Sequence, residues 1–227
     1  MQAIILCGGL STRLGDITKG VPKILLEIGG RTVLDWQLDF LKEASVDEVI
    51  LASGHLHDIL YDAVGERCGA VQVSYAKEEE KLGTGGAIKN AMKYVSASPF
   101  FVLNGDVLIK DFSLSQMLGR LHPQIDGMLL GIFVEDISSY GEIVSNDRGR
   151  ITAFREKQPI HQAGYINGGV YLFNESIADY FPNQDVFSIE RDVFPYVSEL
   201  YVYKTEMDWV DIGVPDRLVY AKQNFSL

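Results

Sequence analysis

The apolar positions of this chain follow two rhythms. Short unbroken runs, Ala3-Ile4-Ile5-Leu6-Cys7, Val49-Ile50-Leu51-Ala52, residues 70–75 and residues 100–103, are rich in β-branched and aromatic residues and predict buried strands. Between them the period changes. Residues 33–44 carry Val33, Leu34, Trp36, Leu38, Phe40 and Leu41 on one stripe, with Asp39, Lys42 and Glu43 outward, which predicts a helix. Residues 57–64 and 86–95 read as helices too. Strands alternating with helices predict an α/β fold whose mostly parallel sheet is covered on both faces. Ligands of such sheets sit beyond the carboxyl ends of the strands.

After residues 128–133 the pattern shortens. Residues 143–144, 151–154 and 169–173 predict brief strands joined by turns, an inserted and partly antiparallel layer. A helix at 189–197, a strand at 200–203 and a helix at 215–224 follow. No linker, repeat or low-complexity stretch interrupts the 227 residues, so one domain spanning 1–227 is expected.

Composition narrows the class. With 47% hydrophobic and 22% charged residues the chain reads as soluble and globular. It shows neither a signal peptide nor an apolar run of membrane-spanning length, and Cys7 and Cys68 are too few for a disulfide framework or zinc site. A cytoplasmic location is expected. The net charge of −11 argues against nucleic acid as partner, but not against a nucleotide, which a few local cations and a metal ion suffice to hold.

The first candidate chemistry follows the first strand. Gly8 and Gly9 let the backbone turn or approach a ligand, Ser11 and Thr12 offer hydroxyls, and Arg13 and Lys23 offer charge, a set suited to polyphosphate. Neither G-x-x-x-x-G-K-[ST] nor G-x-G-x-x-G is present. Asp106, in Asn104-Gly105-Asp106, and Asp211, in Trp209-Val210-Asp211-Ile212-Gly213, each emerge from an apolar run beside glycine, and two such hard ligands suit one Mg²⁺. The run Glu78-Glu79-Glu80 leads into Gly83-Thr84-Gly85-Gly86, where a close backbone and an acid suit a nucleobase with N–H donors such as guanine. The four histidines, at 55, 57, 122 and 161, share no catalytic spacing and read as ordinary polar positions.

These segments resemble the sugar-1-phosphate nucleotidyltransferases. The opening stretch matches their G-G-x-G-T-R…P-K signature, with Ser11 where glycine is usual and Ile24 where proline often follows the lysine. N-G-D and W-x-D-I-G match their two metal-binding motifs, and E-x-x-L-G-T-G-G-A-I looks like the base-binding segment of heptose-1-phosphate and mannose-1-phosphate guanylyltransferases. The resemblance implies a Rossmann-like three-layer α/β/α sandwich with a small sugar-binding insertion, residues 1–110 serving mainly the nucleotide and 111–227 mainly the sugar phosphate. It implies that Arg13, Lys23 and Asp106 are catalytic. Leu6, Gly8, Gly9, Ser11, Thr12, Glu78, Gly83, Thr84, Gly85 and Asn104 would bind the nucleotide, and Gly141, Glu156, Lys157, Asn167 and Gly168 the sugar phosphate. Mg²⁺ would be held by Asp106 and Asp211. The implied reaction joins a nucleoside triphosphate, GTP favoured, to a heptose or mannose 1-phosphate. A uridylyl-, thymidylyl- or cytidylyltransferase and a non-catalytic nucleotide-sugar sensor remain alternatives. The acid that contacts the base and the oligomeric state stay open, a homodimer being one option.

Overall fold

Both faces of the predicted strands are apolar because both are covered. Ile5, Leu51, Leu103 and Phe101 point into one core cluster, while Ile4, Ile50, Val102 and Phe100 point into a second on the opposite face. A strand turns successive side chains to opposite faces, so an unbroken apolar run is the signature of a sheet between two helical layers. The structure, a computed structural model, describes residues 1–9 and 12–225, with Thr12 described in its backbone alone.

The chain begins with β1 (Gln2–Leu6), a 3-10 stretch at Thr12–Thr18 bent at Gly15, and a hairpin of β2 (Glu27–Ile28) and β3 (Arg31–Thr32). Thr32 caps α1 (Val33–Lys42): its hydroxyl accepts from Asp35 N–H at 3.1 Å while the Asp35 carboxylate accepts from Thr32 N–H at 3.0 Å. Next come β4 (Glu48–Ser53), α2 (His57–Val64), β5 (Arg67–Cys68), β6 (Val71–Lys77), α3 (Gly83–Ala91) and β7 (Phe100–Asn104). Strands β7, β1, β4 and β6 lie side by side in that order and run parallel. Leu6 stands between Ala52 and Asn104, and Ser53 opposite Lys77, so the four carboxyl ends finish level.

The second half comprises β8 (Val107–Ile109), α4 (Ser115–Leu118), β9 (Gly127–Val134), β10 (Glu142–Ser145), β11 (Ile151–Arg155), β12 (Gly164–Phe173), α5 (Ile189–Asp192), β13 (Leu200–Thr205), β14 (Trp209–Asp211) and α6 (Pro215–Asn224). Its longer strands form no separate layer. The ten-residue β12 pairs antiparallel with β7 and carries β9 and β10, so this half widens the central sheet to ten strands. The helix predicted over 189–197 is corrected: α5 stops at Asp192, Val193 leaves helical geometry at φ −125°, and a 3-10 turn holds Phe194–Tyr196. Pro195 brings no N–H and crowds the residue before it, which breaks a continuous helix there.

Outside this sheet, β14 pairs antiparallel with β8, Asp211 opposite Val107. The ribbon is too short for a periodic signal, yet it ties the end of the chain to the mouth of the sheet. No helix among the described residues is long and apolar enough to cross a membrane.

Candidate active site

At the carboxyl edge the glycines let strand ends crowd together. A Cβ on Gly105 would sit 2.6 Å from the Leu6 carbonyl oxygen, and one on Gly54 2.8 Å from that of Gly8. Gly105 N–H donates to Leu6 O at 2.9 Å, which fixes the turn that presents Asp106. From below, the buried Gln37 of α1 donates to the carbonyls of Asn104 and Val107 at 2.8 and 2.9 Å, holding both ends of that turn.

Asp106 and Asp211 meet there. Ile212 N–H donates to Asp106 O at 2.9 Å as the β8–β14 ribbon closes. The point a methyl group on Gly213 would occupy lies 3.0 Å from Asp211 Oδ1, 3.6 Å from Asp106 Oδ2 and 3.8 Å from Arg13 Nη2. Each carboxylate has its own cation. Lys23 Nζ donates to Asp106 Oδ2 at 3.0 Å, their side chains 18% and 26% exposed. Arg217 Nη1 donates to Asp211 Oδ2 and, at 3.0 Å, to the Tyr140 hydroxyl. Burial, more than the neighbouring Asp106 charge, raises the pKa of Asp211 against the opposing pull of Arg217.

A cleft of about 390 Å³ opens beside this pair, lined by Leu6, Gly8, Gly9, Arg13, Lys23, Glu78, Gly83, Thr84, Asn104 and Asp106 with Lys81 and Ala87. Of the three consecutive acids, Glu79 and Glu80 are exposed and Glu78 faces inward. Its Oε2 accepts from Leu82 N–H at 3.2 Å, and its Oε1 lies 3.0 Å from where a Gly8 Cβ would be. Burial raises its pKa. Burial, helped by the Glu78 charge, also pushes the Cys7 thiol up to about 12, which keeps it a neutral thiol near neutral pH. A second opening of about 320 Å³ shares Gly8, Gly9 and Lys23 and runs under residues 18–22 towards His55. Ser53, 1% exposed at the wall of this second opening, has its Oγ 2.8 Å from His57 Nδ1.

The glycine-rich turn divides its work. Gly83 and Thr84 line the cleft, whereas Gly85 and Gly86 face away from it: a Cβ on Gly85 would strike the Phe187 ring at 2.3 Å, and one on Gly86 the Asp185 carbonyl oxygen at 2.1 Å. Thr84 Oγ1 also donates to Glu190 at 2.7 Å, joining α3 to α5. Ser11 and the side chain of Thr12 lie outside the described residues.

The residues expected to hold a sugar phosphate are less tightly gathered. Glu156 and Lys157 follow the last residue of β11, both exposed. Glu156 lines a cleft of about 270 Å³ with Tyr140, Glu142 and Arg155, and Gly141 sits exposed beside it. Lys157 lines none of these openings. Asn167 is turned to its own strand, donating to Tyr171 OH at 2.9 Å and accepting from Gly169 N–H at 3.0 Å. Gly168 packs under Ile132 and takes the Trp209 indole N–H on its carbonyl at 2.9 Å. Sequence reasoning missed Gln37 and Arg217, because a buried glutamine and a helix arginine carry no motif. It also missed Gly54, although a glycine closing an apolar run is a readable sign.

The nucleotidyl transferase family profile matches residues 2–226. The D-glycero-alpha-D-manno-heptose 1-phosphate guanylyltransferase of Aneurinibacillus thermoaerophilus is 33% identical over 95% of this chain and 94% of its own length. The mannose-1-phosphate guanylyltransferase catalytic subunit beta of Danio rerio is 36% identical over 95% of this chain, which spans 62% of that longer protein. The crystal structure of HddC from Yersinia pseudotuberculosis complexed with GMP-PN superposes with a TM-score of 0.86 at 31% identity, covering 99% of both chains. With the sheet-edge glycines, the paired aspartates and a match from end to end, this chain belongs to the nucleotidyl transferase family.

Proposed function

We propose that the protein transfers a guanylyl group from GTP to a heptose or mannose 1-phosphate, releasing pyrophosphate and an NDP-sugar. The observation that carries this reading is the Asp106–Asp211 pair, held with Lys23 at the mouth of a cleft that Glu78 lines. In the reaction a sugar-phosphate oxygen forms a bond to the α-phosphorus while the bond to the β-phosphate oxygen breaks, the electron pair leaving with pyrophosphate. The nucleophile is already anionic near neutral pH, its second pKa being about 6, so no general base is needed. The work left to the chain is in-line placement and charge neutralisation.

Residues 1–110 chiefly take the nucleotide. Glu78, the inward acid, accepts from guanine N1–H and the 2-amino group, donors that uracil and thymine do not pair in the same way. Gly8 and Gly9 let the backbone approach the phosphates, and Arg13 and Lys23 neutralise them. Residues 111–227 chiefly take the sugar phosphate, with Glu156 and the 140–141 segment on the sugar and Lys157 approaching its phosphate from the exposed end of β11.

The donor set fits a hard divalent cation. Two carboxylates that share a part-buried corner, Asp211 strained towards protonation by burial and by its partner, gain from a cation that prefers oxygen. No cluster of three or more His, Cys, Asp or Glu occurs among the described residues, so substrate oxygens and water would complete the shell of an Mg²⁺ on Asp106 and Asp211. Such an ion supplies neutralisation of charge at the α-phosphate.

Pyrophosphate release should be measured for GTP, UTP, dTTP, CTP and ATP, each against several sugar 1-phosphates. GTP with a manno-configured sugar is expected to give the highest kcat/KM. A higher value for UTP or CTP with every sugar would overturn the guanylyl assignment and leave the transferase class standing.

A further inference from the structure

Arg217 bridges Tyr140, which lines the Glu156 cleft, and Asp211 of the carboxylate pair. Its guanidinium bonds Asp211 on one side and the Tyr140 hydroxyl on the other, and it stacks over the Tyr140 ring at 5.4 Å. Tyr140 lines the cleft of Glu142 and Glu156, and Asp211 belongs to the carboxylate pair. The Arg217 guanidinium is thus the cation that joins a residue of the Glu156 cleft to the carboxylate pair. Lys157, the cation expected on this phosphate, is exposed, whereas the Arg217 side chain is only 27% exposed. A guanidinium offers five N–H donors in a rigid fork that fits phosphate oxygens in bidentate fashion.

Arg217 also cannot serve two anions fully at once. In the substrate-free protein it is the counter-charge of Asp211, as Lys23 is of Asp106, so each carboxylate is already neutralised. We propose that Arg217 holds the phosphate of the incoming sugar 1-phosphate, and that it is released to do so when Asp211 takes up the divalent cation. This rests on the reading of Asp106 and Asp211 as metal ligands. It makes metal and sugar phosphate mutually supporting: the cation frees the arginine, and the phosphate keeps it from returning to Asp211. By linkage each ligand then raises the affinity for the other by the same factor. In the absence of both, Arg217 and Lys23 offset part of the repulsion between the two carboxylates.

The test uses Arg217→Gln and Arg217→Lys in the full chain, with Mn²⁺ as the metal probe. Mn²⁺ binding to the substrate-free protein is measured by calorimetry, and KM is measured separately for GTP and for mannose and heptose 1-phosphates. Arg217→Gln is expected to bind Mn²⁺ at least about tenfold more tightly, because the competing cation is gone. It is also expected to raise KM for the sugar phosphate about tenfold or more, as a lost charge-assisted contact does, with KM for GTP within twofold. Arg217→Lys should fall between wild type and Arg217→Gln on both measures. Unchanged KM for the sugar phosphate, or Mn²⁺ binding that fails to tighten, would overturn the proposal, and a lowered melting temperature alone would mark Arg217 as a purely structural tie of α6. Asp211→Asn separates the two layers. If it leaves Mn²⁺ binding intact, the metal reading and the release step fail together, while the KM pair still decides whether Arg217 contacts the phosphate.

Discussion

Glu78 shows what one residue's surroundings can decide. The sequence offers three consecutive acids with nothing to rank them, and only folding turns Glu78 into the cleft while leaving its neighbours in water. Burial raises its pKa, so the charged form costs stability that the protonated form does not. For such a raised carboxylate the stabilising contribution is complete below its unfolded value and is lost as pH rises through its folded value. Glu78→Gln, which imitates the protonated group, is therefore expected to be more stable than wild type at pH 7.5, with the difference shrinking as pH falls into the carboxylate range. Thermal melts across pH 4–8 check this, and a wild type that stays the more stable partner at pH 7.5 would contradict it. The same substitution is expected to raise KM for GTP about tenfold and to erode preference over other bases, since a site built to pair a donor discriminates through that pairing. Stability given up at a half-buried acid without a paired counter-cation among the described residues, and recovered when the ligand arrives, is the expected mark of a recognition residue.

At the scale of elements, the main strands and helices were legible and the short ones were not. Helices 57–64 and 215–224 and the four parallel strands carry enough apolar residues at a clear period to be read directly. β2, β3, β5, β8 and β14 have two or three residues each, too few for a period, and exist because tertiary pairing holds them. The glycine-rich turn was legible as special but for a partly different reason. Its chemistry suggested a backbone pressed on a base, whereas Gly85 and Gly86 serve the packing of α3 on residues 185–187. Gly86→Ala is thus expected to lose about 2 kcal/mol or more, because the clash is with backbone that cannot rotate away. A Gly9→Ala methyl meets nothing within 4 Å among the described residues, so the variant should fold as wild type and lose affinity for the triphosphate only. Denaturant titrations with KM measurements separate the two, and equal destabilisation would refute the division.

For the whole molecule, the sequence placed Asp106 and Asp211 in one site although roughly a hundred residues separate them. It did so through motif resemblance and the glycines beside each, not through periodicity. Their counter-ions were half legible: Lys23 lies in the opening signature, whereas Arg217 occupies a helix position that no spacing rule marks. Because the two aspartates act on one charge, Asp106→Asn and Asp211→Asn are each expected to lower kcat by about a hundred- to a thousandfold. The double variant should be little worse than the worse single one, since groups working as a unit are not additive. Steady-state rates for the three variants test this, and additive losses would show two independent roles. Excess EDTA should abolish turnover in wild type, and full activity in its presence would exclude the divalent cation.

The β8–β14 ribbon sets an order of events in synthesis. Everything that lines the larger cleft, from Leu6 to Asp106, leaves the ribosome before Asp211 does. At about 5–20 residues per second, some 5–20 s pass between the two aspartates. During that interval the acidic corner is incomplete and β8 has no partner strand. Pairing of β14 with β8 is then a closing event that both seals an open edge and creates the carboxylate pair. A polypeptide halted in between has neither Asp211 nor the strand that pairs β8, so the carboxylate pair exists only once synthesis has passed Asp211.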